Sequence, residues 1–184
     1  MINLEKKKPF NLSKAAPGLN KVKIGLSWDP SGDVEADADA SIFMLNESGK
    51  IPSEGYFVFY NNLTSADGAV SHSGDNRTGE GDGDDEEISI NLSKVSPEVI
   101  QIIVVISIHN IEDGIHFGNV LNSAVRVYNQ SNGSVLCQYA LTEKFDGCDS
   151  LIMGRFYRSG SEWEFEAMGQ AFEGGLGATV ELYS

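Results

Sequence analysis

The sequence predicts an all-β chain, a two-sheet antiparallel β-sandwich with a few short helices, and three observations predict it. Apolar or alternating runs of strand length recur along the 184 residues. Turn signals such as SGD, ESGKIPSEG, ADG, SNG and SGS separate them. No long segment repeats its apolar residues at the helical period of 3.6.

The runs, in order, are VKIGLSW (22–28), SIFML (41–45), YFVFY (56–60), ISINL (88–92), VIQIIVVISIH (99–109), AVRVYN (124–129), VLCQYAL (135–141), SLIMGRFY (150–157), WEFEAMGQAF (163–172) and VELY (180–183). Their β-branched and aromatic content suits a pleated, half-buried surface. YFVFY and IIVVISI are apolar on both faces and are expected in central positions. WEFEAMGQAF sets Trp163, Phe165 and Ala167 against Glu162, Glu164 and Glu166, the pattern of a strand with one wet face. Short helical pieces are expected at 92–99, where Ser93 caps a turn before Pro97, and at 116–124. No repeat or linker divides the chain, so one domain is expected over residues 1–184.

The chain carries 13 basic and 27 acidic residues, a formal charge of −14. Backbone phosphates would be repelled, so a nucleic-acid binder is not expected. No run of 18 or more apolar residues occurs, so a transmembrane protein is not expected either. The opening MINLEKKKPFNLSK lacks the apolar stretch of a secretory signal, which points to a cytoplasmic chain. Cys137 and Cys148 are too few for a disulfide-built scaffold.

The acid is concentrated. Residues 74–87 hold seven acids against Arg77, and residues 29–39 hold five acids and no base. In GEGDGDDE the carboxylates Glu80, Asp82, Asp84 and Glu86 alternate with Gly79, Gly81 and Gly83, so an extended stretch would present four acids on one side. Two unit charges about 6 Å apart repel by roughly 3 kcal/mol at an effective dielectric of 20, which leaves solvation or a bound cation as the remedy. The glycines favour the cation, because they let the backbone bring carbonyl and carboxylate oxygens around one point. Oxygen ligands on a flexible loop suit Ca²⁺ better than Mg²⁺, and zinc is not expected where neither His nor Cys falls in the loops. The segment is not an EF-hand: counted from Asp75, the third position is Arg77 and the sixth is Glu80. In the earlier segment Asp33, Glu35, Asp37 and Asp39 are also in phase, so the two segments are expected to meet at one end of the sandwich and share one or two Ca²⁺ ions. The competing interpretation is a pair of solvated acidic loops.

Catalytic signals are weak. His72 lies three residues before Asp75, where a general base is conceivable, but no nucleophile elbow or Cys-His signature accompanies it. Cys137 reads as a core residue, and the acids around Cys148 would raise its pKa rather than activate it. The glycines of FEGGLG (172–177) fit turn chemistry better than a phosphate cradle.

The motif GDNRTGEGDGDDE (74–86), with FYNNLTSADGAVSH (59–72) before it, resembles the TerD family of bacterial tellurite-resistance and stress-response proteins. LSKAAPGLNKVKIGLSWD, DADAS, IHN, the FGNV-NSAVRV-N run and GRFYRSGSEWEFEAMGQAFEGGLG extend the resemblance over essentially the whole chain. The resemblance implies a β-sandwich with calcium sites formed by Asp75, Asn76, Glu80, Asp82, Asp84, Asp85 and Glu86, with backbone carbonyls near Arg77, Gly79 and Gly83, and with Asp37 and Asp39 from the earlier loop. Ala38 replaces a larger aliphatic residue, and Asn110 stands where Asp is common. The function expected from these readings is non-enzymatic: Ca²⁺ orders the acidic loops and so forms a surface for other proteins of a stress system. The alternative is a divalent-metal-dependent hydrolase that uses the carboxylate cluster.

Overall fold

The computed structural model describes residues 1–30, 36–74, 84–109 and 111–184. Strand parity builds it. In β3 (Lys21–Pro30) the side chains of Val22, Ile24, Leu26 and Trp28 are buried while Lys23 and Ser27 turn outward. In β7 (Glu86–Asn91) Ile88 and Ile90 face inward and Glu86 stands in phase with them.

The remaining elements are β1 (Ile2–Asn3), β2 (Pro9–Asn11), α1 (Leu12–Ala15), β4 (Ala38–Leu45), β5 (Phe57–Val58), β6 (Val70–His72), β8 (Gln101–Ile108), β9 (Val120–Asn129), β10 (Ser134–Ala140), β11 (Ser150–Ser159), β12 (Glu162–Phe172) and α2 (Gly175–Tyr183). One sheet runs β1-β10-β9-β3-β7-β6 and the other β2-β12-β11-β8-β4-β5. Pairing is antiparallel except where β1 lies parallel to β10. The main core fills the space between the sheets, with Trp28, Ile42, Met44, Phe156 and Phe165 among its buried members. A second cluster, Phe43, Leu45, Ile103, Val105 and Ile152, covers the far face of the second sheet beneath α2.

The sandwich and its short helices agree with the sequence reading, and β8 is central, between β4 and β11, as its two apolar faces require. Several local expectations fail. YFVFY supplies only the two-residue edge strand β5; its aromatic rings pack on one another, Phe57 against Phe59 at 4.3 Å and against Phe43 at 4.4 Å, instead of filling a central position. Residues 92–99 form turns rather than a helix, and 116–124 holds one short turn of 3-10 helix, Phe117–Asn119, before β9 begins.

VELY is not a strand. It is the end of α2, because Leu176, Val180 and Tyr183 are spaced for one helical face and dock on the second cluster. FEGGLG therefore opens a helix: Gly174 takes a left-handed conformation, and the Asp149 carboxylate accepts the N–H groups of Gly174 and Gly175 at 3.2 and 2.7 Å. A four-residue apolar run is too short to distinguish the two periods.

At the bulge in β11, Gly154 lies against Phe165 and β12. A Cβ there would stand 2.9 Å from the Glu166 carbonyl and run into the Phe165 ring. Gly154→Ala is expected to lower stability by about 1–3 kcal/mol in urea unfolding, the cost of overpacking a filled core.

Candidate functional site

Strand termini from both sheets meet at one end of the sandwich. β3, β6 and β8 end there, and β4, β7 and β9 begin there. The acidic segments 29–39 and 74–87 spring from this end. Their described acids are Asp29, Asp37, Asp39, Asp84, Asp85, Glu86 and Glu87, the last paired with Lys23, so the two segments do approach one another at one end. Asp75, Asn76, Arg77, Gly79, Glu80, Asp82 and Gly83, together with Asn110, lie outside the described residues.

Each described acid has a definite place. Glu86 is 1% exposed and crosses from its own sheet to the other, where its Oε2 accepts the N–H of Ala40 at 2.7 Å. The reason lies in β5, which reaches only Ile42 and Phe43 and leaves Ala40 beyond its end. His72 completes the pair. Its Nδ1 accepts the N–H of Gly74 at 3.0 Å, so the proton sits on Nε2, which faces the Ala40 carbonyl at 3.2 Å and Glu86 at 3.3 Å. A carboxylate and an imidazole thus stand in for a missing strand. With both ring nitrogens engaged and the side chain buried, His72 has no lone pair to offer as a general base.

Asp85 performs the same service for β3. The β7 ladder stops at Glu86, opposite Leu26. Beyond it the Asp85 N–H donates to the Leu26 carbonyl at 2.7 Å and its carboxylate accepts the Trp28 N–H at 2.8 Å. Burial pushes the Asp85 carboxyl up from its ordinary value against the lowering effect of that Trp28 bond, and the charges of Asp29, Asp84 and Glu86 add to the rise. Asp29 accepts the Asn122 amide at 2.7 Å. Asn122 holds a φ of 53°, in the left-handed region that asparagine tolerates better than most residues.

Asp84 turns away from Glu86, so the alternation expected for the extended motif does not carry through the bend at Asp85. It lies over Gly25 on the outer face of the first sheet. There its two oxygens accept from Arg126 Nη1 and from the Tyr128 hydroxyl, each at 2.6 Å. The Asp84 side chain is 4% exposed, so the guanidinium already supplies the positive charge that this carboxylate needs. A Cβ on Gly25 would fall on the carboxylate.

On the other sheet Asp39 points to the face opposite the main core, with His109 Nδ1 3.5 Å from its Oδ2, and the His109 N–H donates to the Asp37 carbonyl at 2.7 Å. Tyr60 meets the His109 ring edge-on at 5.8 Å.

The described acids therefore diverge: Glu86 points between the sheets, Asp84 onto one outer face and Asp39 onto the other. Among the described residues no three His, Cys, Asp or Glu side chains gather closely enough to hold a metal ion. A composite cation site at this end needs oxygens from 75–83 as well. The chemistry of the roots fits such a site, since Asp37, Asp39, Asp85 and Glu86 are all oxygen donors suited to Ca²⁺. Spacing alone did not single out Gly25, Arg126, Tyr128 and Asn122 as parts of this end, and it marked His72 as a conceivable base rather than as a partner of the β4 backbone. Parity with Val70, and with Ile88 and Ile90, is the signal that marks His72 and Glu86 as inward-facing.

Cys137 is a core thiol that burial pushes up to about 12. Burial raises Cys148 as well, with Glu173 and Asp149 adding to it. No helix among the described residues is long and apolar enough to cross a membrane.

An antiparallel-dominated β-sandwich whose acidic loops share one end is the class of protein that this fold and site define. The family model described as the TerD domain matches residues 1–183, and the chain belongs to the TerD family of tellurite-resistance and general stress-response proteins. It is 43% identical to the tellurium resistance protein TerD of Serratia marcescens over 99% of this chain and 96% of that one. It is 42% identical to general stress protein 16U of Bacillus subtilis (strain 168), again over 99% and 96%. The crystal structure of a homologue of the telluride resistance protein TerD from Streptomyces coelicolor A3(2) superposes with a TM-score of 0.68 at 26% identity, over 89% of this chain and 96% of that one.

Two measurements check the Asp84 clamp. Gly25→Ala is expected to destabilise the fold by about 1–3 kcal/mol in urea, and Arg126→Leu by about 3 kcal/mol, because a buried carboxylate loses its counter-charge. Tyr128 is pushed up to about 12, chiefly by burial and then by its bond to Asp84. Its neutral form is therefore favoured in the fold, and the stability it contributes is present below its ordinary value of 10.0 and lost as pH rises toward 12. Burial also pushes Tyr139 and Tyr157 up to about 12, so an absorbance titration is expected to show a group of late-ionising tyrosines that Tyr128→Phe reduces by one.

Proposed function

We propose that this chain is a calcium-binding, non-enzymatic protein of a bacterial tellurite-resistance or general stress-response system, acting in the cytoplasm. One or two Ca²⁺ ions would be held by oxygens of Asp37, Asp39, Asp85 and Glu86 at the roots and of Asp75, Asn76, Glu80 and Asp82 in the loop, with backbone carbonyls near Arg77, Gly79 and Gly83. Asp84 takes part through the Arg126 and Tyr128 clamp that anchors the C-terminal side of the loop.

The observation that carries the proposal is the convergence of both acidic segments on one end of the sandwich, with Glu86 bonded directly to β4 one residue after Asp39. Seven acids within 14 residues repel one another, and a bound cation supplies the opposing charge that lets the two loops adopt one geometry. The Asp85 and Glu86 backbone caps fix the roots in advance. An ion-ordered loop end then serves as a surface for other proteins of the stress system. A hydrolase finds no comparable support: His72 is enclosed, and the Arg126 guanidinium is committed to Asp84.

Calorimetric titration of chelator-stripped protein tests the proposal, with Mg²⁺ as control. The expected result is saturable Ca²⁺ binding at one or two sites, selective over Mg²⁺ and lost in Asp37→Asn with Asp82→Asn. Chelation is expected to lower the thermal midpoint, since free ligand at 100 times its Kd stabilises by about 2.7 kcal/mol. Equal heats in wild type and variant would return the loops to solvated surface.

A further inference from the structure

The opposite end of the sandwich holds an arginine that no carboxylate of the described residues meets. There β11 ends and β12 begins, and the paired residues Arg158 and Trp163 point between the sheets at the mouth of the core. A cleft of about 380 Å³ opens on them, lined also by Ser13, Asn20, Ser93 and Ser161, and no carboxylate is among its lining residues.

Arg158 is the one described arginine without a carboxylate partner: Arg126 has Asp84 and Arg155 has Glu166. Its Nε donates to the Val99 carbonyl at 3.0 Å, and its Nη2 donates to Val95 at 2.9 Å and Ser96 at 3.5 Å. Its guanidinium carbon Cζ lies over the Trp163 ring, 4.5 Å from the centroid. These contacts use two of the three nitrogens. Nη1 makes no hydrogen bond with the described residues, and it belongs to a half-buried cation met only by carbonyl dipoles and a ring face. Burial holds this guanidinium below its ordinary value, a cost that a nearby anion would reverse.

The rim adds to the field. Ser13, Asn20 and Ser93 are each followed by a lysine, Lys14, Lys21 and Lys94. Lys14 reaches Glu162 at 3.7 Å, whereas Lys21 and Lys94 are exposed and have no carboxylate partner among the described residues. In a chain of net charge −14 this is a local reversal of sign.

We infer that the Arg158–Trp163 cleft is a binding site for a small oxyanion, the phosphate or carboxylate group of a soluble molecule, held by Arg158 Nη1 with the hydroxyl of Ser161 and the amide of Asn20 as further donors. A planar guanidinium with one edge fixed by carbonyls is orientated for such a group. The indole wall and the volume of the cleft leave room for a small organic body beside it.

The test follows the Trp163 indole N–H and Arg158 Nε resonances of the ¹⁵N-labelled full chain during titration with inorganic phosphate, and separately with acetate. The expected result is a saturable shift of both resonances with a Kd on the order of 1 mM. A response to phosphate alone assigns phosphate groups, and a response to both assigns oxyanions generally. Ser161→Glu places a like charge at the mouth without touching the carbonyl bonds of Arg158, and is expected to weaken binding about tenfold or more. Arg158→Gln is expected to abolish it. Drift without saturation, or saturable binding of equal strength in Ser161→Glu, would overturn the assignment whether or not Arg158→Gln folds.

Discussion

The carboxylate of Glu86, buried between two sheets and bonded to the backbone of the sheet it does not belong to, is the contact on which the acidic end depends. An ionisable group in that position survives only with partners. Among the described residues these include the N–H of Ala40 and the ring of His72, which itself closes the Ala40 carbonyl. Because β5 stops short, β4 would otherwise leave a buried donor and acceptor without partners, at about 1–3 kcal/mol each. Asp85 repeats the device on β3 through Trp28. The acids that border the loops thus serve first as substitutes for absent strands, and the spacing between the loops follows from that duty.

This arrangement separates two roles that a motif reading merges. Asp84 sits between acids of similar appearance, yet it is turned to the outer face of its sheet, where Gly25 leaves room and Arg126 and Tyr128 hold it. Substitution there acts on the anchorage of the loop, whereas substitution of Asp37 or Asp82 acts on its charge. The two ends differ in their charged groups as well: acids crowd the end where β4 and β7 begin, and a guanidinium without a carboxylate partner among the described residues, with neighbouring lysines, marks the cleft at the end where β3 and β8 begin. Ligands of opposite sign would meet opposite ends.

Much of the architecture was legible in the chain. Period-two alternation placed β3, β7, β11 and β12, and a run apolar on both faces placed β8 in the middle of its sheet. The acidic segments and their convergence were legible too, because charge density and glycine spacing are local properties. Parity failed where strands are short or a bend intervenes. YFVFY looked central but stacks its rings at an edge, VELY looked like a strand but is a helix face, and Asp84 left the alternation at Asp85.

Sequence by itself determined the all-β class, the family, the position of the acidic segments and the excess of negative charge, since these depend on residue type and spacing along the chain. Tertiary structure alone decided which backbone groups fall beyond the end of a neighbouring strand, and so which acids become caps. It also decided that Asp84 meets Arg126, 42 positions away, and that Arg158 is left without an acid. The physical reason is that unpaired donors, acceptors and charges are created by where ladders stop, and a ladder's end is a relation between segments that no single segment encodes.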